Sequence, residues 1–185
     1  MNEFIVAGIG GQGVITCSKL ILETALDKGY EARSAETIGM AQRGGSVLSH
    51  VRIGEKIYSP FIPIGKVDEV ISMDSLEALR YQNYLKQYGF VEAPDDLMSR
   101  AIVSKIPIRS DINIRYYDLG NKWEKKETKK NTNIIMLGIV FAGDRYIISS
   151  KDIEKTIVKR FTGVIRSDAL EALHLGIELA RGGIS

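Results

Sequence analysis

The sequence predicts an α/β fold, a Rossmann-like open and mostly parallel sheet with helices on both faces. Two observations carry this. Short apolar runs alternate with segments of helical periodicity over most of the chain. A glycine-rich turn joins the first run to the first periodic segment, which is the opening of a βαβ unit. Length agrees, since 185 residues suffice for one such domain with its own core and are few for two. A single domain over residues 1–185 is therefore expected.

The elements follow in order. Residues 4–7 form a buried apolar strand bounded by Gly8. In residues 14–28, Val14, Cys17, Ile21 and Ala25 recur at helical spacing, and Gly29 suits the residue just past a helix end. Residues 30–37, 46–53 and 67–73 read as further strands. Asp74-Ser75-Leu76-Glu77 supplies a capping box for a helix to about residue 87. Residues 101–106 and 112–119 read as strands, and residues 131–142, 151–161 and 169–181 as helices, the last opened by Asp168. Residues 121–130 interrupt the pattern with Lys122, Lys125, Lys126, Lys129 and Lys130 against Glu124 and Glu127. A solvated loop accounts for them, and a docking patch for an acidic partner is the alternative.

Composition excludes several classes. Hydrophobic residues are 44% and charged residues 26%, as in ordinary globular proteins. A formal net charge of +2 is too small to point to nucleic acid or a membrane surface as the main partner. One cysteine, Cys17, rules out an internal disulfide framework and any iron–sulfur or thiolate zinc site made by this chain alone. His50 and His174 lie far apart in sequence, so no metal site is expected. No apolar run approaches the roughly 20 residues that span a bilayer. The first residues have no basic n-region and read directly into a strand, so a cytoplasmic chain is expected.

Gly8-Ile9-Gly10-Gly11-Gln12-Gly13 fits G-x-G-x-x-G between a strand and a helix. Gly8 permits the tight turn, Gly10 lets backbone approach a phosphate or a neighbouring chain, and Gly13 lets helix and strand pack closely. The helix start offers N–H groups and a positive dipole end to an anion. Val14 and Ile15 stand where a P-loop needs Lys and Ser or Thr, so this is not a P-loop. Glu36, near the end of the second strand, lies where a Rossmann domain places its ribose-binding acid. The turn therefore admits a nucleotide, a partner's backbone or plain packing.

Gly39-Met40-Ala41-Gln42-Arg43-Gly44-Gly45-Ser46 is the second glycine-rich segment. It can adopt positive φ at several positions, and Arg43 adds a planar cation suited to phosphate or carboxylate. It leaves the carboxyl end of its strand, so it is expected on the same sheet edge as the first turn, where ligands of open α/β sheets bind. The candidate ligand-binding residues are Gly8, Gly10, Gly11, Gln12, Gly13, Gly39, Gln42, Arg43, Gly44, Gly45 and Ser46. No catalytic residue is assigned. His50 reads as a satisfied half-buried histidine, Cys17 as a small core residue and His174 as structural.

These segments, with Ser49-His50-Val51-Arg52-Ile53-Gly54, Ser59-Pro60 and Gly65-Lys66-Val67-Asp68, occur in one order. The chain resembles the gamma subunit or gamma domain of 2-oxoacid:ferredoxin (acceptor) oxidoreductases, the pyruvate, 2-oxoglutarate, 2-ketoisovalerate and indolepyruvate enzymes. Glu77-Ala78-Leu79-Arg80 followed by Tyr84-Leu85 is similar to the small beta subunit of the indolepyruvate enzymes. Residues 133–138, and Glu171-Ala172-Leu173 with Gly176, resemble the family's C-terminal half. The resemblance covers essentially the whole chain.

It implies oxidative decarboxylation of a 2-oxoacid with coenzyme A to an acyl-CoA and CO2, with electrons passed to ferredoxin or flavodoxin. Thiamine diphosphate and iron–sulfur clusters carry that chemistry, and this chain lacks the means to hold either. Gly143-Asp144-Arg145 lacks the family's next glycine and the later Asn-Asn pair, and one cysteine makes no cluster. The expectation is a subunit not catalytic alone, with thiamine and clusters on larger partner subunits and coenzyme A a candidate at the interface. A stand-alone dinucleotide-binding module and an assembly scaffold whose glycine loops touch only protein are the alternatives.

Overall fold

A computed structural model describes residues 1–39, 44–95, 102, 104–119 and 131–182. Its elements are β1 (Asn2–Ile9), α1 (Val14–Asp27), β2 (Glu31–Ile38), β3 (Ser46–Gly54), β4 (Val67–Ser72), α2 (Ser75–Arg80) and a 3-10 turn (Gln82–Tyr84). Then come β5 (Leu85–Pro94), β6 (Asn113–Tyr117), α3 (Thr132–Val140), α4 (Ser150–Arg160) and α5 (Gly163–Gly182). The strands form one six-stranded sheet in the order β2-β3-β1-β4-β5-β6. The β1–β4, β4–β5 and β5–β6 pairs are parallel, so the sheet is mostly parallel as expected. The β1–β3 and β2–β3 pairs are antiparallel. The crossover through α1 thus skips one position, and β3 returns to fill it.

β1 lies at the centre and is buried on both faces. Phe4 and Val6 point into a core shared with α1, α3, α4 and α5, while Ile5 and Ala7 point into a second core with Leu48, Ile62, Ala78 and Leu85. Alternate side chains of one strand therefore feed two layers. The helices do cover both faces, unequally: four lie on one side, and the short α2 lies on the other.

Three expectations need correction. The helix opened by Asp74 ends at Arg80, and residues 85–87 belong to β5. That strand was missed because Gly89 and the buried Glu92 break its apolar pattern. No strand occurs among the described residues of 101–106, where residues 104–106 form a turn. The last helix starts at Gly163, not at Asp168, because its exposed first-turn Val164 and Ile165 give no amphipathic signal. The lysine-rich residues 121–130 lie outside the described residues.

α3 is buried along its whole length, between the sheet and α5. The approach of these helices requires two glycines. A Cβ on Gly138 would stand 2.2 Å from the Leu173 carbonyl oxygen, and one on Gly176 would stand 2.0 Å from the Ile135 carbonyl oxygen. Both clashes are with backbone, which cannot rotate away. Gly176→Ala is expected to cost about 3 kcal/mol in urea unfolding. Gly182→Ala, with open space around it, should cost nothing measurable by the same assay.

Two carboxylates are buried beneath the edge of this helix layer. Glu69 on β4 and Glu92 on β5 face the same side of the sheet. Arg145 donates to Glu69 at 3.0 Å, and the Tyr146 hydroxyl also donates to it. Arg115, in register with Glu92, donates to it at 3.2 Å. Both guanidiniums lie over the Phe90 ring, at 4.1 Å for Arg145 and 4.7 Å for Arg115. Glu69 Oε1 and Glu92 Oε2 are buried with no hydrogen-bond partner among the described residues. Burial, reinforced by the charge of Glu92, pushes the Glu69 carboxyl up to about 8. Burial raises Glu92 as well.

The folded chain therefore keeps a proton that the unfolded chain releases near pH 4.3. Stability should fall as pH rises from about 4.3 towards 8 and then level off. Urea midpoints measured from pH 5 to 8.5 check this. Glu69→Gln, which keeps the shape and removes the titration, should abolish most of the slope.

Candidate functional site

The candidate site lies at the carboxyl ends of β1 and β4. β1 ends at Ile9, and the next four residues turn the chain into α1. Gly11 and Gly13 take φ of 98° and 83°, a region open to glycine at no steric cost. Gln12 closes the turn on itself. Its amide oxygen accepts from the Ile9 N–H at 2.7 Å, and its own N–H donates to the Ile9 carbonyl at 3.0 Å. Gly13 is the N-cap of α1 and offers no side-chain cap, and the first turn of the helix holds no acid. The positive end of the helix is thus left uncompensated by side chains.

The second glycine segment meets this turn directly. The Gly10 N–H donates to the Gly45 carbonyl at 2.9 Å, and the Gly39 N–H donates to the Ser46 carbonyl at 2.9 Å. The register explains the meeting, since Ile9 is paired with Ser46 and Ile38 with Val47. Gly44 has φ 77°. Gln42 and Arg43, with Met40 and Ala41, lie outside the described residues. The structure therefore brings Gly8, Gly10, Gly11, Gln12, Gly13, Gly39, Gly44, Gly45 and Ser46 to one rim.

The glycines serve different ends. A Cβ on Gly8 would press on Gln12, Val14 and Met73, and one on Gly13 would overlap the Asn133 side chain at 2.4 Å. One on Gly39 would stand 3.1 Å from the Ser46 carbonyl oxygen. Folding accounts for these three. Gly10 differs, because its added Cβ would meet nothing nearer than 3.6 Å and its φ is not positive. The chain's own packing does not require glycine there.

Two residues of the rim escaped the sequence reading as site residues. The Ser46 hydroxyl donates to the buried Glu77 carboxylate at 2.5 Å and accepts from the Tyr81 hydroxyl at 2.9 Å. Arg80 donates to the other oxygen of Glu77 at 3.0 Å. Asp74 caps α2 as expected, accepting from the N–H groups of Leu76 and Glu77 at 2.9 Å each. Glu77 does not complete the box, because the Asp74 N–H is taken by the Ser72 hydroxyl. The spacing Asp74-x-x-Glu77 pointed to Glu77 and gave it the wrong partner. Ser46 is consequently a strut, with its hydroxyl spent within the fold.

Among its described residues the rim offers backbone N–H groups and a helix start, and it holds no set of groups for covalent chemistry. Among the described residues no cluster of three or more His, Cys, Asp or Glu could hold a metal ion. Cys17 is fully buried, and burial pushes its thiol up and out of reactivity. His50 accepts from the Ile62 N–H at 3.3 Å and packs edge-on against Phe61 and Tyr84; burial lowers its basicity. Glu36 is an exposed residue on edge strand β2, bonded to Ser34, and β3 separates its strand from β1. A Rossmann domain sets that acid on the strand beside the glycine turn. Arg145, which ends the Gly143-Asp144-Arg145 run, is engaged with Glu69.

Comparison with known proteins fits this geometry. The pyruvate ferredoxin/flavodoxin oxidoreductase family model matches residues 3–179, and the chain belongs to that family. It is 30% identical to the indolepyruvate oxidoreductase subunit IorB of Thermococcus kodakarensis, over 98% of each chain. Its fold superposes on the gamma subunit of a keto/oxoacid ferredoxin oxidoreductase from Geobacter sulfurreducens PCA, with a TM-score of 0.76 and 23% identity, over 98% of this chain and 99% of that one. It also superposes on 2-oxoglutarate:ferredoxin oxidoreductase from Magnetococcus marinus, whose structure holds 2-oxoglutarate, coenzyme A and succinyl-CoA. That match has a TM-score of 0.78 and 18% identity, covering 97% of this chain and 31% of the other.

Ser46→Ala should cost about 1–2 kcal/mol in urea unfolding, because it leaves a buried Glu77 oxygen without its donor. Combined with Glu77→Gln the cost should be less than additive, since both variants break one interaction.

Proposed function

We propose that this chain, as a single gamma-type domain, is the small subunit of a 2-oxoacid:ferredoxin (acceptor) oxidoreductase, of the indolepyruvate type. The complex it serves converts a 2-oxoacid and coenzyme A into an acyl-CoA and CO2, and passes two electrons to ferredoxin or flavodoxin. The observation that supports this most is family membership over nearly the whole chain, joined to a rim of glycine backbone beside an uncapped helix start. With one buried cysteine and no thiamine motif, the chain's residues do not fit a cluster or thiamine diphosphate. Both belong on larger partner subunits. No helix among the described residues is long and apolar enough to cross a membrane. We infer a cytoplasmic chain, since the complex it serves hands its electrons to ferredoxin or flavodoxin.

Coenzyme A is the ligand that the rim fits. Its phosphates are anions, and the uncapped start of α1 presents N–H groups to an anion. Gly10 keeps a space that a Cβ would fill, beside the Gly45 backbone, where a ligand's backbone-like pantetheine or pyrophosphate can lie close. Gly8, Gly11, Gln12 and Gly13 on the first turn, and Gly39, Gly44, Gly45 and Ser46 on the second, are assigned to the same ligand because the two turns meet at one rim. Arg43, with Gln42, is assigned to the phosphates by its charge and fork geometry. The chain's work is to hold and orient this substrate against the partner's reacting centre.

A stand-alone dinucleotide module is disfavoured by the position of Glu36, two strands away from the glycine turn. In the assembled complex, Gly10→Ala and Arg43→Ala should each raise KM for coenzyme A about tenfold, roughly 1.4 kcal/mol of binding, with kcat little changed. Gly10→Ala should leave Tm unchanged. An unaltered KM in both variants would remove coenzyme A from the rim. Micromolar binding of NAD(P) or FAD to the isolated chain would favour the dinucleotide module instead.

A further inference from the structure

We propose that the segment between β3 and β4, residues 55–66, is the face by which this chain docks on the larger subunit. Tyr58, Phe61 and Ile64 are its anchors. This rests on the subunit reading above and adds where the partner sits.

The segment is Glu55-Lys56-Ile57-Tyr58-Ser59-Pro60-Phe61-Ile62-Pro63-Ile64-Gly65-Lys66, and it contains neither helix nor strand. Its apolar side chains divide sharply. Ile57 and Ile62 are each 3% exposed, and Ile62 inserts into the second core. Tyr58, Phe61 and Ile64 are 82%, 59% and 69% exposed. A solvated loop of this length is ordinarily polar and loosely held. This one is tied down along residues 57–62.

The ties are specific. The Arg52 guanidinium donates to the carbonyls of Ser59 and Phe61, at 2.9 and 3.3 Å, and is itself paired with Glu3 at 2.6 Å. The Ile57 N–H donates to the Glu31 carboxylate at 2.8 Å, and the Ile62 N–H to His50 at 3.3 Å. The Phe61 N–H donates to the Ser59 hydroxyl at 3.2 Å, and Pro60 and Pro63 fix φ at two further positions. A rigid backbone thus presents large apolar groups to the outside. Such pre-organisation lowers the ordering cost of association. Aromatic anchors of this kind dominate interface energetics.

Area and charge say what covers it. The three exposed side chains offer about 400 Å² of surface, from typical aromatic and aliphatic side-chain areas. That is half of the roughly 800 Å² each partner contributes to a standard interface, a suitable share for its apolar centre. Tyr88 lies at the same end of the sheet, because Val67 and Leu85 are in register there. It is 68% exposed and is held at φ 61°, a conformation rare for a bulky residue. Lys56 lies over the Tyr58 ring at 5.2 Å, and Lys66 closes the segment, against the single carboxylate of Glu55. Two copies packed through this patch would set lysine against lysine. A partner with an apolar centre and carboxylates at its border is complementary. The same fold also makes up 31% of a longer chain, so it occurs built into a larger body. The glycine rim is at the other end of β1 and β4, so this contact is separate from the place where the rim meets the partner's reacting centre and does not cover the ligand-binding turns.

The test uses the complex co-expressed with a tag on the larger subunit. Phe61→Asp with Ile64→Asp should remove this chain from the purified complex, or weaken its retention at least tenfold. The isolated double variant should keep the wild-type circular dichroism and lose at most a few degrees of Tm, since Ile64 is exposed and Phe61 gives up only its edge-on contact with His50. Val164→Asp with Ile165→Asp, on an equally exposed apolar pair at the start of α5, should leave the complex intact. Retention of the first variant, or loss of the second in its place, overturns the proposal. So does a homodimer of the isolated chain that the first variant splits into monomers, because the occupant is then a second copy. If no larger subunit co-purifies with the wild-type chain, the subunit reading fails and this inference fails with it.

Discussion

The antiparallel return of β3 between β1 and β2 is the constraint on which the site depends. A simple βαβ unit would place β2 beside β1 and leave the second glycine segment one strand away. With β3 in between, the chain leaves β2 and enters β3 at the very row where β1 ends, and Ile9 faces Ser46. The backbone bond from Gly10 to Gly45 is then possible, and two turns that are about 30 residues apart in sequence become one surface. Side-chain-poor residues on both turns let the backbones approach this closely.

The two ends of the sheet carry different chemistry. At the carboxyl ends of β1 and β4 the surface is glycine backbone, one uncapped helix start and a buried Glu77 strut. At the opposite end it is a pinned loop of large apolar groups. The helix layer behind the sheet supports both, and it joins the glycine rim through the start of α1 and through Asn133 of α3, whose amide donates to the Gly13 carbonyl at 3.1 Å. Its own closeness comes from Gly138 and Gly176, where backbone meets backbone. The buried Glu69–Glu92 pair ties the 143–146 segment to the middle of the sheet, at the cost of desolvating two carboxyl groups, one of which keeps its proton.

Much of this was legible in the residues. The strand–turn–helix opening, the strands at residues 46–53 and 67–73, and the two glycine segments converging on one edge are all found in the fold. The missed elements share a cause. β5 hides a buried acid and a glycine inside its pattern, and the first turn of α5 exposes its apolar residues, so neither shows a period that follows solvent. Ser46 was placed at the rim, but its hydroxyl is spent on Glu77, a residue 31 positions away. A local capping rule cannot foresee that partner.

The sequence by itself determined the fold class and the two glycine turns, because these follow from local periodicity and backbone freedom. Only the tertiary structure decided that β3 separates β1 from β2, that Gly8 and Gly13 serve packing while Gly10 does not, and that Glu36 stands away from the turn. Each of these depends on strand order, and strand order is set by which faces can be buried together across the whole sheet. No stretch of the chain read alone contains that information.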